Sequence, residues 1–414
     1  MKGGKHMTEG EINELFGISE SFMLPERLMN LLFSEEINGV FENYNATEHD
    51  LSCDRFTNYF QEEHSSRKAM MQDFTPPELS ALVARLAAGQ PVESCLDLCA
   101  GTGGLTIGLW NVLHECTFVC EELSQRALPL LLFNLAARNI SAFVSNKNIL
   151  SGEIIQNYRI IPGERFGKVI LVDSVPEMKF DVCITNPPYS LKYEFDEKKT
   201  DSRFADYGFP PKQAADMAFI MDGLSRLNDK GRVVAILPHG VLFRGNREEN
   251  IRREMIKRGN IHAVIGLPDK LFLNTGIPVA VVIFGKERAE SIAFVDASRD
   301  FEKLQKLNRL RQRDIEKILS AVSGRVEVPK YSHVAEIAEI EQNGFNLNIP
   351  RYVDTFEPPP EIDIFAVVAE LEQIEVESRR LKNEVYTAIT QLVPSNEKTA
   401  RELAKIREFM ERKM

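Results

Sequence analysis

Between Phe74 and Asp296 the sequence alternates regularly between short apolar runs and amphipathic stretches. Short apolar runs bounded by turn residues indicate buried strands, and apolar residues spaced three and four apart indicate helices. Strands that alternate with helices form βαβ units, whose strands lie parallel in one sheet with helices on both faces. We therefore predict an α/β fold with a doubly wound, mostly parallel sheet.

The individual elements follow from the same patterns. Strands are predicted at 94–98, 117–120, 141–145, 169–172, 181–185, 232–238, 261–267 and 279–284. Helices are predicted at 76–87, 123–137, 214–227 and 248–258. Before this region, residues 1–72 are polar with short helical patterns, and after it residues 301–414 become charged and helical, beginning with 301–319. We expect three parts: an N-terminal helical region (1–72), a catalytic domain (73–300) and a C-terminal helical tail (301–414).

The tail contains an apolar seam beyond its three consecutive prolines. Its members are Val367, Leu371, Ile374, Leu381, Val385, Ala388 and Leu392, with Ser378 as the polar interruption. Spacings that alternate between three and four are typical of a heptad repeat. The seam can belong to a helix that packs on its own domain, or to a coiled coil with a partner subunit. Its narrowness and the charge beside it favour the coiled coil.

Composition excludes several classes of protein. No apolar stretch is long enough to span a bilayer, and no signal-peptide core follows Lys2 and Lys5, so a cytoplasmic protein is expected. The six cysteines lie mostly in apolar runs, which favours small buried side chains over metal ligands, and no metal is expected. The net charge of −11 is unusual for a protein that binds nucleic acid alone, because phosphate contacts require a basic surface.

A glycine-rich turn follows the predicted strand 94–98. Asp97 lies near the end of this strand, and the acidic Glu122 ends the next one. Glycines allow the backbone to pass close to a nucleoside ligand, while a carboxylate in the position of Glu122 can accept both ribose hydroxyls. Asp97 can hold the turn or reach an amine of the ligand. The turn residues predicted to bind this ligand are Gly101, Thr102, Gly103 and Gly104.

A second motif, Asn186-Pro187-Pro188-Tyr189, ends the predicted strand 181–185. Consecutive prolines fix φ and remove N–H donors, which leaves a rigid carbonyl at Pro187. The Asn186 side-chain oxygen and this carbonyl can each accept one hydrogen of a planar amine. Tyr189 offers a flat face on which an extruded base can stack. The motif predicts a site that methylates such an amine.

With these motifs the sequence resembles the modification (M) subunits of type I restriction-modification systems. The resemblance implies transfer of a methyl group from S-adenosylmethionine to the N6 amine of adenine in double-stranded DNA. It implies that Thr75 and Pro76 help to close over the methionine end of the cofactor, and that Asn186 to Tyr189 form the catalytic loop. It also implies assembly of the tail with a specificity subunit, a second copy of the chain and, where one exists, a restriction subunit.

Two features depart from the family pattern. Where the family often has an acidic residue after the third strand, this sequence has Asn148, which is the expected substitute contact to the cofactor's adenine. The N-terminal helical region is shorter than is usual in these subunits.

Other side chains leave alternatives open. Lys192, Lys198, Lys199 and Arg203 follow the catalytic loop and are either local DNA contacts or solvated loop charges. His239 and His262 are interpreted as structural. The Asn-Pro-Pro-Tyr geometry also suits a methyltransferase that acts on a protein glutamine or on RNA. A solitary DNA adenine methyltransferase and a silent DNA-binding scaffold are the remaining alternatives.

Overall fold

The structure is a computed structural model that describes residues 8–47, 50–56, 59, 75–197, 200–272, 276–356 and 363–412. The chain divides into two compact units, Met1–Thr355 and Phe356–Met414. None of the described helices is both long enough and apolar enough to cross a lipid bilayer.

The described elements are as follows. The helices of the first unit are α1 (Glu9–Phe16), α2 (Leu24–Leu32), α3 (Ile37–Thr47), α4 (Pro77–Ala87), α5 (Gly104–Trp110), α6 (Leu128–Ala137), α7 (Asp216–Ser225), α8 (Arg247–Lys257), α9 (Gln312–Ser323) and α10 (Ile337–Gln342). The strands are β1 (Ser94–Leu98), β2 (Thr117–Glu122), β3 (Ala142–Lys147), β4 (Ile154–Ile161), β5 (Lys168–Val172), β6 (Phe180–Thr185), β7 (Leu227–Pro238), β8 (Ile261–Gly266), β9 (Val279–Gly285), β10 (Ser291–Asp296), β11 (Glu302–Lys303), β12 (Asn308–Arg309) and β13 (Ser332–Glu336).

The main sheet has eleven strands in the order β13-β10-β8-β9-β7-β6-β1-β2-β3-β4-β5. Strands β4, β9 and β13 run against the other eight. The chain winds outward from β1 through β2 and β3 on one side, and from β6 through β7 on the other. The predicted α/β class with a doubly wound, mostly parallel sheet is therefore confirmed.

Helices cover both faces of this sheet because its strands are apolar on both sides. One hydrophobic cluster contains the buried side chains of α4 and α6, and the other contains those of α7 and α8. The strands alternate between the two clusters, as Phe118 and Val119 do in β2. The buried cysteines are Cys95, Cys116, Cys120 and Cys183. They lie within these clusters, as predicted.

The N-terminal helices pack on α6 through an aromatic cluster around Phe133. The rings of Phe16, Phe41, Tyr44 and Phe56 have their centroids 5.0–5.7 Å from that of Phe133. Each of these side chains is at most 1% exposed, so the contact is a true core. The N-terminal region therefore belongs to the same compact unit as the sheet.

The predicted helix at 301–319 is wrong in its first half. Residues 302–309 form the β11–β12 hairpin, which is held by a Glu302–Arg309 ion pair and by the Asn308 amide on the Asp269 carbonyl. Only at Gln312 does α9 begin. Because α9 packs on the sheet and β13 is its edge strand, the first unit extends to Thr355, beyond the expected tail boundary at 301.

The second unit contains α11 (Ile364–Gln391) and α12 (Glu397–Glu411). The Tyr386 hydroxyl donates to Glu411 at 2.6 Å, and Arg407 donates to the Thr390 carbonyl at 3.0 Å, so the two helices contact each other. No residue of α11 is buried. Its large seam side chains, Val367 to Leu392, are 43–60% exposed.

Candidate functional site

The two sequence motifs meet at the centre of the sheet. Strands β1 and β6 are parallel neighbours, with Leu98 in register with Thr185. The chain leaves β1 toward one side of the sheet and β6 toward the other, so the pair forms a topological switch point, where open α/β sheets bind ligands. The Thr185 hydroxyl donates to the Leu98 carbonyl at 2.6 Å and ties the two strand ends together.

The glycine-rich turn after β1 needs a left-handed backbone. Gly101 and Gly103 have φ of 59° and 93°, and a Cβ on Gly103 would approach Leu131 to 3.0 Å. Cys99 adopts φ of 64° as well, a conformation that is uncommon outside glycine. Gly104 begins α5 directly after the turn. The sequence therefore has glycine where a side chain would strain or obstruct the turn.

Glu122, the last residue of β2, stabilises this turn through hydrogen bonds to the backbone. One carboxylate oxygen accepts from the Gly101 N–H at 2.7 Å, and the other accepts from the Ser124 N–H at 2.6 Å. The side chain is 4% exposed, and burial raises the pKa of Glu122 while these two backbone donors lower it. A carboxylate oxygen has two lone pairs, so each can accept one further hydrogen bond from a ligand.

Asp97 lies fully buried below the turn. Its Oδ2 accepts from the Thr106 hydroxyl at 2.6 Å, while Oδ1 has no hydrogen-bond partner among the described residues. Burial raises the pKa of Asp97 to about 7, and the charge of Glu122 adds to this effect. An unpartnered buried carboxylate oxygen costs free energy unless a donor reaches it. Asp97 thus retains an unused acceptor.

Thr102 and Asn148 use their side chains within the protein. The Thr102 hydroxyl donates to Asp54 at 2.5 Å. The Asn148 Oδ1 accepts from the N–H groups of Leu150 and Ser151, at 3.1 and 3.3 Å, and so closes the turn after β3. These contacts leave Asn148 its Nδ2 group as a donor toward a ligand.

The loop Asn186–Tyr189 after β6 contacts Thr75. Asn186 donates from Nδ2 to the Thr75 hydroxyl at 3.0 Å, and its Oδ1 accepts from the Tyr189 hydroxyl at 2.7 Å. The structure thus brings together the residues that follow Phe74 and the residues that follow β6. Thr75 immediately precedes Pro76, the N-cap of α4.

Tyr189 does not present an open stacking face in this structure. Its side chain is 6% exposed, and its ring meets Phe272 edge-on with the centroids 6.3 Å apart. Pro187 is buried, whereas Pro188 is partly exposed. Stacking of a base on Tyr189 therefore requires the ring to turn outward.

Asp216 and Arg244, to which the sequence analysis assigned no role, hold the residue that follows Tyr189. Ser190 has φ of 53°; its N–H donates to Asp216 at 3.0 Å, and its hydroxyl accepts from Arg244 at 2.9 Å. Arg244 also approaches Asp216 at 3.4 Å, and burial raises the pKa of Asp216. The signal for this role was a lone acid in the apolar run Ala-Ala-Asp-Met-Ala-Phe.

The cations predicted after the loop have different surroundings. Arg203 pairs with Asp201 and Asp222 at 2.7 and 3.0 Å and donates to the Ile149 carbonyl, so it is a structural residue. Lys192 is exposed. Lys198 and Lys199 lie outside the described residues.

The two histidines contact backbone carbonyls. His239 lies 3.1 Å from the Val279 oxygen and His262 lies 2.9 Å from the Glu287 oxygen. Burial lowers the pKa of both rings. Among the described residues, no three His, Cys, Asp or Glu side chains are grouped so that they could hold a metal ion.

Comparison with known proteins assigns the chain to a family. The family model of N-6 DNA methylases matches residues 54–360. The chain is 27% identical over 325 residues to the type I restriction enzyme MpnII methylase subunit of Mycoplasma pneumoniae, which covers 75% of this chain and 58% of the relative. It is 29% identical over 328 residues to the MjaVII methylase subunit of Methanocaldococcus jannaschii, which covers 75% and 54%.

A solved structure is similar as well. The type I restriction-modification methyltransferase subunit of Streptococcus thermophilus superimposes with a TM-score of 0.61 and 32% identity, over 68% of this chain and 59% of that chain. The chain spans little more than half the length of these relatives. The resemblance seen in the sequence is confirmed: the chain belongs to the N-6 DNA methylase family.

Proposed function

We propose that the chain transfers a methyl group from S-adenosylmethionine to the N6 amine of an adenine flipped out of double-stranded DNA. The observation that supports this most directly is the adjacency of β1 and β6, which brings the glycine-rich turn and the Asn186–Tyr189 loop to one edge of the sheet. A cofactor and an amine substrate need such adjacency, because alignment of the reacting groups supplies much of the rate.

The residues around the turn fit S-adenosylmethionine. Glu122 retains acceptor capacity for ribose hydroxyls, and the unpartnered Asp97 Oδ1 would receive a donor from the cofactor's ammonium group. The backbone of Gly101, Thr102, Gly103 and Gly104 lines the same turn. Thr75 and Pro76 lie beside Asn186, and Asn148 follows β3 at the same edge. When bound, the cofactor supplies a methyl group on a sulfonium centre.

Asn186 and Pro187 orient the substrate amine. In the structure the Asn186 Oδ1 accepts from the Tyr189 hydroxyl, so an adenine amine takes over that acceptor when Tyr189 turns outward to stack on the base. Pro187 and Pro188 fix φ and lack N–H groups, so the Pro187 carbonyl stays available as the second acceptor. Positive charge that develops on the nitrogen is stabilised by two acceptors already in position.

We further propose that the chain is the modification subunit of a cytoplasmic type I restriction-modification complex, with a specificity subunit, a second copy of itself and, where present, a restriction subunit. The exposed heptad seam of α11 supports a helical partner, because an apolar seam of this length needs cover. A separate specificity subunit also accounts for the net charge of −11, since it would supply phosphate contacts.

Methylation assays test this proposal. Labelled S-adenosylmethionine is incubated with plasmid DNA, RNA or protein acceptors, with the chain alone or with the specificity subunit encoded beside it. We expect label on DNA adenine only with the specificity subunit. Label on RNA or protein alone would contradict the substrate, and full DNA methylation by the chain alone would indicate a solitary enzyme.

Two variants test the catalytic loop in the same assay. Asn186→Ala should lower the rate of transfer about 100-fold or more, because it removes a charge-stabilising acceptor. Tyr189→Phe is the matched control: it loses the hydroxyl but keeps the ring, and should stay within about ten-fold of the wild type. Equal rates for Asn186→Ala and the wild type would remove the catalytic assignment.

A further inference from the structure

A short segment before the sheet domain, residues 50–56, lies directly against the glycine-rich turn. Asp54 in this segment is 5% exposed, and it accepts from the Thr102 hydroxyl at 2.5 Å and from the Asn134 side chain at 2.8 Å. Asn134 in turn donates to the Thr102 carbonyl at 2.8 Å. Both the hydroxyl and the carbonyl of Thr102 are therefore held from outside the turn.

The backbone of the segment is fixed by side chains from the sheet domain. Arg138 at the end of α6 donates to the carbonyls of Leu51 and Cys53, each at 2.8 Å, and is itself 4% exposed. Asn111 after α5 donates to the Ser52 carbonyl at 2.5 Å. The buried ring of Phe56 joins the cluster around Phe133. The segment is thus docked at several independent points.

This arrangement has a mechanical consequence for the turn. Thr102 lies between Gly101 and Gly103, and glycines leave the backbone free to adopt many conformations. A turn of this composition is ordered by contacts made outside it, and ordering it before the ligand arrives raises affinity. The contacts of Asp54 and Asn134 on Thr102 are of that kind, and only Asp54 comes from the N-terminal region.

We propose that Asp54 is a positioning residue for cofactor binding: the segment 50–56 holds the glycine-rich turn, through Thr102, in the conformation that binds the cofactor. The inference rests on the proposed use of S-adenosylmethionine. It gives the N-terminal region a role in the chemistry that does not depend on contact with DNA, because it couples this region to the cofactor turn through buried hydrogen bonds.

Calorimetric titration of the purified chain with S-adenosylmethionine tests the proposal. Asp54→Ala should weaken binding about ten-fold or more, the effect of a lost hydrogen bond to a charged acceptor. The rate of methyl transfer at saturating cofactor should remain within about two-fold. Glu42→Ala is the matched control, because Glu42 lies in α3 of the same N-terminal region, makes an exposed ion pair with Arg165, and its loss should leave cofactor binding at the wild-type value.

A double variant tests the route through Thr102. Thr102→Ala should also weaken cofactor binding. The loss in the double variant Asp54→Ala/Thr102→Ala should be smaller than the sum of the two single losses, because both changes remove the bond between the Thr102 hydroxyl and Asp54. Additive losses would contradict the route. Asp54→Asn, which retains an acceptor oxygen, should bind with intermediate affinity and serves if Asp54→Ala does not fold.

Amide hydrogen exchange tests the proposal on the wild-type protein, measured with and without cofactor. Cofactor should slow amide exchange in residues 50–56 together with the turn. Protection of the turn with no change in 50–56, or equal cofactor affinity in Asp54→Ala and the wild type, would overturn this inference alone. Failure of the wild type to bind S-adenosylmethionine would overturn the proposed function, and this inference with it.

Discussion

Burial changes the acid–base chemistry of the two carboxylates beside the glycine-rich turn. Glu122 has a raised pKa because it is buried, yet both its oxygens accept backbone N–H groups that favour the ionised form. Asp97 has one hydroxyl donor, from Thr106, and burial raises its pKa to about 7. A pKa of about 7 means that the charge of Asp97 changes near neutral pH.

The titration of Asp97 predicts a pH dependence of cofactor affinity. In the proposed site the ionised form would attract the cofactor's ammonium group, and a group of pKa about 7 is mostly ionised at pH 7.5 and mostly protonated at pH 6. S-Adenosylmethionine should therefore bind several-fold more weakly at pH 6 than at pH 7.5, a range in which its own α-amino group stays mostly protonated. Titrations of the wild type and of Asp97→Asn check this. The Asn variant should lose this dependence, and an unchanged slope in it would assign the effect elsewhere.

The elements around the catalytic loop hold it in an unusual conformation. Ser190 directly follows Tyr189 and has a left-handed backbone, which is uncommon for a residue with a side chain. Asp216 at the start of α7 accepts from its N–H, and Arg244, just before α8, donates to its hydroxyl. Contacts from the start of α7 and from the segment before α8 thus hold the loop where it leaves β6.

Removal of the hydrogen bond between Asp216 and Ser190 should slow methyl transfer without changing cofactor binding. Asp216→Ala leaves the Ser190 N–H without its acceptor, which costs about 1–3 kcal/mol of unfolding free energy. We expect a methyl-transfer rate at saturating cofactor lower by about ten-fold, with an unchanged dissociation constant for S-adenosylmethionine. Single-turnover kinetics and urea denaturation measure the two effects. Glu249→Ala is the control, because Glu249 makes a surface ion pair with Arg253.

At the scale of the whole molecule, the chain separates a packed unit from a helical one. The packed unit carries all the proposed site residues, whereas α11 carries the seam and buries none of its residues. An apolar seam that is 43–60% exposed is typical of a helix that has a partner. Chemistry and assembly are therefore expected to be separable by mutation.

A charged residue introduced into the seam tests whether assembly and cofactor binding are separable. Leu371→Lys should abolish co-purification with the proposed specificity subunit, because a lysine in an apolar seam must be desolvated. Cofactor affinity of the chain should stay at the wild-type value. Glu372→Lys is the matched control, since Glu372 is exposed next to the seam but not part of it. Retained co-purification of Leu371→Lys would show that the seam does not mediate assembly.

The sequence alone determined the class of the fold and indicated the motifs of the proposed site. Strand β1 was predicted at its observed bounds and β6 within one residue, because each is an apolar run that ends at a turn motif. Glycines and prolines act through their own backbone geometry, so their role can be read locally. The other elements and the contacts between distant residues were decided only by the tertiary structure.

β13 is a polar segment that becomes a strand by pairing with β10, and residues 302–309 form a hairpin where local charge favoured a helix. Asp54 and Asp216 gained their roles from residues 48 and 26 positions away. Such contacts depend on which distant groups a fold buries together. For the same reason, the glycine-rich turn could be recognised from the sequence, whereas the segment that holds it could not.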